Sequence, residues 1–332
     1  MATYKDIHGN NIPIRASDPS NPILGEAWYN STSHVFKVRG FAPGTWTSGN
    51  NMTGTVLRAF QSTGSYTAAV TNGGVSSVAH INQTSEWDGT NWSTGNAGPV
   101  SGFSRVGFGT QTAAVFAGGQ NGPSTTYNTI NEYDGTNWTT SPGTLVKNAV
   151  SARGTGTQTA GIIAGGYGAS PSFSQLADAY TYDGTCMTAI TSMPAARQNA
   201  GGSGSAQDAF ILYGGNDSPT AATVSWNGSS WSVVNSLNNA TPSGMAGSYS
   251  SQTSALCAAT SWPTVAPNEQ WDGTCWTVIA NLSTQRANAC GSGTGANGFV
   301  AGGYDNSGGD QNTEATELWT GAAAATQTVT IA

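Results

Sequence analysis

The chain of 332 residues is short of charged side chains, which make up only 8% of it against about 25% in typical soluble domains. Its 10 basic and 17 acidic residues leave a net charge of −7, which does not suit a surface that neutralises phosphates, so no nucleic-acid partner is expected. The same composition argues against disorder. Disordered chains combine high net charge with few aromatics, whereas 11 Trp and 11 Tyr are present here.

Long apolar runs are also absent. No stretch approaches 18 consecutive apolar residues, so no membrane insertion is expected, and residues 1–22 lack the apolar core of a secretory signal. The four cysteines form no Cys-x-x-Cys pair, and no histidine stands at metal-ligand spacing from them. The sequence therefore predicts four free thiols and no metal site.

Catalytic signatures are missing as well. The three histidines, His8, His34 and His80, lie outside any nucleophile motif, and the recurring aspartates come one per repeat instead of as a local pair. We therefore expect no catalytic residues, no cofactor and a chain that is not an enzyme.

Glycine, by contrast, is abundant at 45 residues, and it marks an internal repeat. An apolar run ends in a Gly pair that begins at 73, 118, 165, 214 and 302, with a degenerate copy at 258. A second marker, an aromatic residue with a nearby turn glycine, places that glycine at 89, 135, 184, 228, 273 and 321. Both markers keep a period of 44–49 residues and agree on six copies.

Each copy predicts four short strands, because Asp-Gly between alternating apolar runs is a strong hairpin signal. The sequence thus predicts an all-β chain, with a six-bladed β-propeller over residues 46–332 after an anchoring segment and β-hairpin in residues 1–45. Its repeated aromatic residues should pack between blades as scaffold, not as a site. They are Trp87, Trp92, Tyr133, Trp138, Tyr182, Trp226, Trp231, Trp271, Trp276 and Trp319.

The sixth copy has Ala324 where a Trp is expected, and Trp46 lies one period before Trp92. Trp46 is therefore predicted to open a strand that completes the sixth blade and closes the ring, which hides sheet edges. Alternatively, the C-terminal strand 326–332 takes that place, or both strands add to the last blade.

The repeats, from about Thr53 to Gly321, resemble the kelch repeat, an apolar run into a Gly pair followed by Tyr and Trp. This resemblance implies one propeller blade per copy, a fold that serves enzymes, adhesins and scaffolds alike.

A second resemblance covers about 25 residues near the N-terminus and is to short N-terminal modules of bacteriophage virion proteins. It rests on Gly25, Glu26, Trp28, Tyr29, Asn30, Ser31, Thr32, Lys37 and Val38. It implies a virion location, contact with other virion proteins through the N-terminal segment, and a tail fibre or appendage whose propeller attaches to the host surface. The alternatives are a capsid-decorating protein and a secreted or cell-surface kelch adhesin or lectin. A homo-oligomer is expected.

The loops after the Gly pairs vary while the repeat frame stays constant, so they are the predicted binding face. Aromatic rings beside hydrogen-bonding groups suit a host glycan or protein, and the alternative is loops that are solvated or contact other subunits. The candidate residues are Tyr167, Asn216, Asp217, Trp262, Tyr304, Asp305 and Asn306.

Overall fold

The computed structural model describes residues 12–54, 58, 61–76, 79–122, 125–168, 174–215, 219–241, 248–249, 251–258, 267–305 and 311–329. Within these ranges the chain is all β, as the sequence predicts, and contains no helix. This part of the protein accordingly offers no helix long and apolar enough to cross a membrane.

The strands are short and follow one another closely along the chain. The first twelve are β1 (Ile14–Arg15), β2 (Ala27–Asn30), β3 (Val35–Ala42), β4 (Thr45–Ser48), β5 (Gln61–Ser65), β6 (Ala68–Val75), β7 (His80–Trp87), β8 (Trp92–Gly95), β9 (Val106–Thr110), β10 (Ala113–Ala117), β11 (Thr129–Tyr133) and β12 (Trp138–Thr144). The next ten are β13 (Ala149–Val150), β14 (Arg153–Thr157), β15 (Ala160–Ala164), β16 (Tyr167–Gly168), β17 (Ala179–Tyr182), β18 (Met187–Ile190), β19 (Gly201–Ala206), β20 (Ala209–Tyr213), β21 (Thr223–Trp226) and β22 (Trp231–Val234). The remaining strands are β23 (Ser248–Tyr249), β24 (Ala255–Cys257), β25 (Glu269–Trp271), β26 (Trp276–Val278), β27 (Arg286–Ala287), β28 (Cys290–Gly293), β29 (Asn297–Ala301), β30 (Tyr304–Asp305), β31 (Gln311–Asn312), β32 (Thr316–Thr320) and β33 (Ala323–Val329).

The chain divides into two compact units. Unit 1 comprises Met1–Thr45 and Gly321–Ala332, and unit 2 comprises Trp46–Thr320. Unit 1 contains one four-stranded sheet in the order β1-β2-β3-β33, in which the C-terminal strand β33 runs antiparallel to β3. The C-terminal strand therefore pairs with the N-terminal segment.

Each sequence repeat in unit 2 contributes one main antiparallel sheet, and these are numbered here I to VI; two smaller sheets, β13-β16 and β27-β30-β31, lie in the same unit. Sheet I contains β5 to β8, sheet II β9 to β12, sheet III β14, β15, β17 and β18, sheet IV β19 to β22, sheet V β24 to β26, and sheet VI β28, β29, β32 and β4. Sheet V comes from the copy without a Gly pair and has three strands, while β23 pairs in parallel with β19. In sheet VI the strand from the N-terminal side, β4, lies beside β32.

The cores of unit 2 lie between consecutive sheets. One cluster joins Phe108 of sheet II to Ile163 and Tyr182 of sheet III, and another joins Trp87 of sheet I to Phe299 of sheet VI. The first strands of sheets I to IV contact one another in order: β5 contacts β9, β9 contacts β14, and β14 contacts β19. β23, which pairs with β19, contacts β28 of sheet VI, and β28 contacts β5. This arrangement is a β-propeller-like fold.

Candidate functional site

The repeated Asp-Gly pairs form tight turns between the third and fourth strands. In sheet II, Asp134 Oδ1 accepts hydrogen bonds from the backbone N–H groups of Thr136 at 2.8 Å and Asn137 at 2.6 Å. The same pair of bonds recurs at Asp88, Asp183, Asn227 and Asp272. These backbone bonds lower the pKa of the Asp134 carboxyl, and the carboxylate is committed to capping its own turn.

The third-strand tryptophans anchor their sheets to the turn that precedes their own second strand. Trp87 Nε1 donates to the carbonyl of Tyr66 at 2.8 Å, and Trp226, Trp271 and Trp319 make the equivalent bond in their sheets. In sheet III, where Tyr replaces Trp, the Tyr182 hydroxyl instead donates to Glu132 of the preceding sheet at 2.7 Å. Tyr133 does likewise with Glu86. Desolvation above all raises the pKa of Tyr182 to about 12, so this donor stays protonated.

The fourth-strand tryptophans reach back to the preceding sheet. Trp276 Nε1 of sheet V donates to Thr223 Oγ1 of sheet IV at 3.1 Å, and Trp92 of sheet I donates to Thr316 of sheet VI at 2.9 Å. The corresponding bonds are made by Trp138 and Trp231. All of these rings also pack on the third-strand aromatic of their own sheet. The repeated aromatics therefore tie the sheets together.

Trp46, the residue predicted to complete the last copy, has the same contacts. Its Nε1 donates to the carbonyl of Ala280 at 2.9 Å, and its ring lies 5.2 Å from that of Trp319 at an angle of 46°. The Trp226 and Trp231 rings are likewise 5.2 Å apart, at 43°.

The sequence reasoning missed a repeated glutamine in the turn between the first and second strands. Gln111 Nε2 donates to the carbonyls of Ala69 at 3.2 Å and Trp87 at 3.1 Å in the preceding sheet. Equivalent bonds are made by Gln158, Gln207 and Gln252. Their spacing in the sequence matches the period of the repeat, which was the available signal.

Buried arginines were also missed. Arg105 is buried, with bonds to the carbonyl of Phe116 at 2.8 Å and to the side chains of Asn72 and Asn131 at 2.5 Å. Desolvation lowers its pKa to about 10. Arg286 is buried and paired with Glu317, and Arg153 and Arg197 are buried too. Unit 2 has 6 basic and 14 acidic residues. Four of its six basic side chains are therefore these buried arginines.

The predicted loop-face residues lie in different sheets or outside the described residues. Tyr304 is half-buried in β30, and the Arg58 guanidinium carbon lies 5.2 Å from the centre of its ring. Tyr167 holds the equivalent place in β16, pairing with Val150 as Tyr304 pairs with Ala287. Asp305 is the second residue of β30. Asn216, Asp217, Trp262 and Asn306 lie outside the described residues.

A cavity of about 400 Å³ opens among the first strands of sheets I to IV. Its lining is uncharged and includes the hydroxyl residues Thr63, Ser65, Thr110, Thr155 and Thr157. Thr63 Oγ1 donates to the carbonyl of Gly109 at 2.8 Å, and Thr155 Oγ1 to that of Gly204 at 2.6 Å. These hydroxyls thus link neighbouring first strands.

The cysteines and the side chains that could bind a metal ion are dispersed in the described ranges. Cys186 and Cys275 are exposed, Cys257 and Cys290 are buried, and none of the four forms a disulfide. Burial raises the pKa of Cys290 to about 12. In that part of the chain, no three or more His, Cys, Asp or Glu side chains group in a way that could hold a metal ion.

In unit 1, Trp28, Asn30 and Lys37 surround Asp18. Its carboxylate accepts from Trp28 Nε1 at 3.1 Å, Asn30 Nδ2 at 2.8 Å and Lys37 Nζ at 2.7 Å. These hydrogen bonds, led by that from Lys37, lower the pKa of Asp18 to about 2. Trp28 is fully buried, and Asn30 Oδ1 accepts from the N–H groups of Thr32 and Ser33 in the following turn.

No protein-family model matches the sequence, and no curated protein matches it. Among solved structures, the fold is similar to that described as "Structure of YjhT", a kelch-like β-sheet protein. The TM-score is 0.67 with 12% sequence identity, over 83% of this chain and 99% of the other. At this identity the likeness concerns the fold alone, and it supports the β-propeller-like architecture.

Proposed function

We propose that the chain is a non-enzymatic structural protein of a bacteriophage virion. In this proposal it is a tail fibre or appendage whose N-terminal unit attaches to other virion proteins. Unit 2 is a closed, six-bladed, kelch-like propeller that turns its variable loops towards the host surface.

Contacts between sheets support the closed ring of six. The first strands of sheets I to IV contact one another in sequence order, β23 lies between β19 and β28, and β28 contacts β5, so the series returns to its start. Trp46 repeats the ring geometry and the backward hydrogen bond of the other fourth-strand tryptophans. Closure by an N-terminal strand removes the exposed edges that an open row of sheets would leave.

The observation that carries the virion proposal is the construction of unit 1. Three residues of the N-terminal segment that resembles modules of phage virion proteins, Trp28, Asn30 and Lys37, converge on Asp18 and make a small folded module. A small folded module of this kind is suited to attachment to other proteins.

Purified particles provide the test. We expect mass spectrometry of gradient-purified phage from the producing host to detect the chain in a fixed ratio to the major capsid protein. Immunogold electron microscopy should label the tail. Label on the capsid would support the capsid-decorating alternative, and chain found only free in the medium or on cells would contradict the virion proposal and favour an adhesin or lectin.

Binding through the loop face has its own test. A glycan array with purified chain should give hits that Tyr167→Ala, Trp262→Ala and Tyr304→Ala reduce, whereas Tyr66→Ala, in the first hairpin of sheet I, should keep them. Release of reducing ends from the bound polysaccharide would contradict the non-enzymatic role, because hydrolysis creates a new reducing end at each cut.

A further inference from the structure

Arg58 is the exception among the six basic side chains of unit 2. Four of the others are buried arginines, and the fifth, Lys147, binds Asp178 at 3.0 Å. Arg58 is half-buried, and its side chain makes no hydrogen bond or ion pair within the described residues. Unit 2 thus has one accessible cation that no described carboxylate neutralises, although the unit contains 14 acidic residues.

Arg58 also stands where other repeats have an apolar side chain. It pairs with Val75, the residue that follows the Gly pair of the first repeat. The equivalent pairs of three other repeats begin with an apolar residue, and they are Phe103 with Gln120, Val150 with Tyr167, and Ala287 with Tyr304. Because those repeats form this bridge without a charge, the frame of the propeller does not require an arginine at this position.

The Arg58 side chain lies at the junction between the sixth repeat and the first. Its guanidinium carbon is 5.2 Å from the centre of the Tyr304 ring. Asn312, which pairs with Tyr304, donates from Nδ2 to the carbonyl of Val75 at 3.2 Å, and the backbone N–H of Arg58 donates to the same carbonyl at 3.1 Å. This junction therefore brings together a guanidinium, a phenol and an amide beside the loops that follow the Gly pairs.

Stacking on Tyr304 leaves the edges of the Arg58 guanidinium available. The ring occupies one face of the planar group, whereas the N–H donors lie in the plane and form a fork that matches a carboxylate. We propose that Arg58 binds the carboxylate of an acidic sugar, with Tyr304 holding the guanidinium in place. This assignment rests on the proposed role of the loop face and names the class of glycan that it binds.

The surroundings of Arg58 favour a sugar carboxylate over other anions. A single guanidinium balances the single charge of a carboxylate, whereas a phosphate monoester carries a charge of about −1.5 to −2. The phenol of Tyr304 and the amide of Asn312 are neutral hydrogen-bonding groups, which suit the hydroxyls beside a sugar carboxylate. The net negative charge of unit 2 opposes any anion, so a dissociation constant of about 1 mM is expected for a short acidic oligosaccharide.

Titration of the isotope-labelled full chain with trigalacturonate, followed by NMR, tests the proposal. The Nε–H resonance of Arg58, identified by its loss in Arg58→Gln, should shift as the ligand is added. The methyl ester of the same trisaccharide keeps the hydroxyls but has no charge, so it should bind at least about tenfold more weakly. Glycerol phosphate and N-acetylglutamate, which carry an anion without a sugar ring, should also bind at least about tenfold more weakly than trigalacturonate.

Three variants, read through the backbone N–H resonance of Tyr304, assign the effect to the guanidinium. Arg58→Gln should weaken trigalacturonate binding at least about tenfold, because both the charge and the fork are lost. Arg58→Lys keeps the charge without the fork and should weaken binding about threefold. Lys147→Gln is the matched control, since it removes an accessible cation that already binds Asp178 and should leave the affinity unchanged. If Arg58→Gln does not fold, Arg58→Lys and the ester decide.

Several outcomes would overturn the proposal. One is no binding of trigalacturonate up to about 10 mM, and another is wild-type affinity in Arg58→Gln. Equal binding of the ester, of glycerol phosphate or of N-acetylglutamate would show that a sugar carboxylate is not what Arg58 recognises. Neutral glycans that bind on the array and depend on Tyr304 but not on Arg58 would leave the proposed role of the loop face standing while this assignment fails.

Discussion

Replacing Trp46 by alanine removes the one repeated tryptophan that the sequence supplies from before the first repeat. The side chain is half-buried, packs on Trp319 and donates to the carbonyl of Ala280 at 2.9 Å. About 120 Å² of ring lost from the interface costs about 3 kcal/mol at about 25 cal/mol per Å². The lost hydrogen bond adds about 1 kcal/mol. We therefore expect Trp46→Ala to destabilise unit 2 by about 3–4 kcal/mol.

Thermal unfolding by differential scanning calorimetry measures this effect, and a loss of that size should lower the Tm by about 5–10 °C. Trp231→Ala is the matched comparison. Trp231 of sheet IV is also half-buried, its ring lies at the same distance from the third-strand Trp226, and its Nε1 donates to a carbonyl that precedes the sheet, that of Thr191. Val233→Ala, at a position 69% exposed, should change stability by less than about 0.5 kcal/mol. If Trp46→Ala melts with the wild type while Trp231→Ala does not, β4 does not close the ring.

Further predictions concern the turns, the glutamines and unit 1. Gly135→Ala should cost about 1–3 kcal/mol in calorimetry, because φ is +93° there and a Cβ would lie 3.1 Å from Thr112 Cγ2; an unchanged Tm would refute this. Gln158→Leu should cost about 1–3 kcal/mol, because the carbonyls of Ala114 and Tyr133 lose a donor; equal stability of Gln158→Ala, Gln158→Leu and wild type would contradict it. The pKa of Asp18 is lowered to about 2 from 3.8, so its stabilisation is complete above about pH 4 and is lost as the pH falls towards 2. The indole N–H resonance of Trp28 should titrate with a midpoint near 2, and Asp18→Asn should abolish that titration.

Local chemistry in the sequence accounts for much of the fold. Asp-Gly demands a left-handed glycine, so Gly89 and Gly135 identify hairpins without knowledge of distant contacts. The partner of the C-terminal strand was not predictable in this way. Residues 326–332 alternate like any strand, and only the three-dimensional structure shows that β33 pairs with β3 while β4 lies beside β32.

Contacts between sheets were harder to predict, because they join residues far apart in the chain. Gln158 bonds to Ala114 and Tyr133, which lie 44 and 25 residues earlier, and glutamine marks no secondary structure by itself. The burial of Arg105 was not predictable for a related reason. An arginine in a polar sequence is usually exposed, and its burial here depends on amide acceptors at Asn72 and Asn131 in two other strands.

The buried arginines also alter the electrostatic field that an approaching partner meets. With four of the six cations of unit 2 inside, and Glu269 and Glu317 as the buried carboxylates among the described residues, its solvent side is more anionic than the net charge of −7 indicates. The approach of any anionic partner is therefore opposed, and at physiological ionic strength screening confines this repulsion to about 8 Å from the surface. Encounter rates with such a partner should rise with added salt, the reverse of ordinary electrostatic steering.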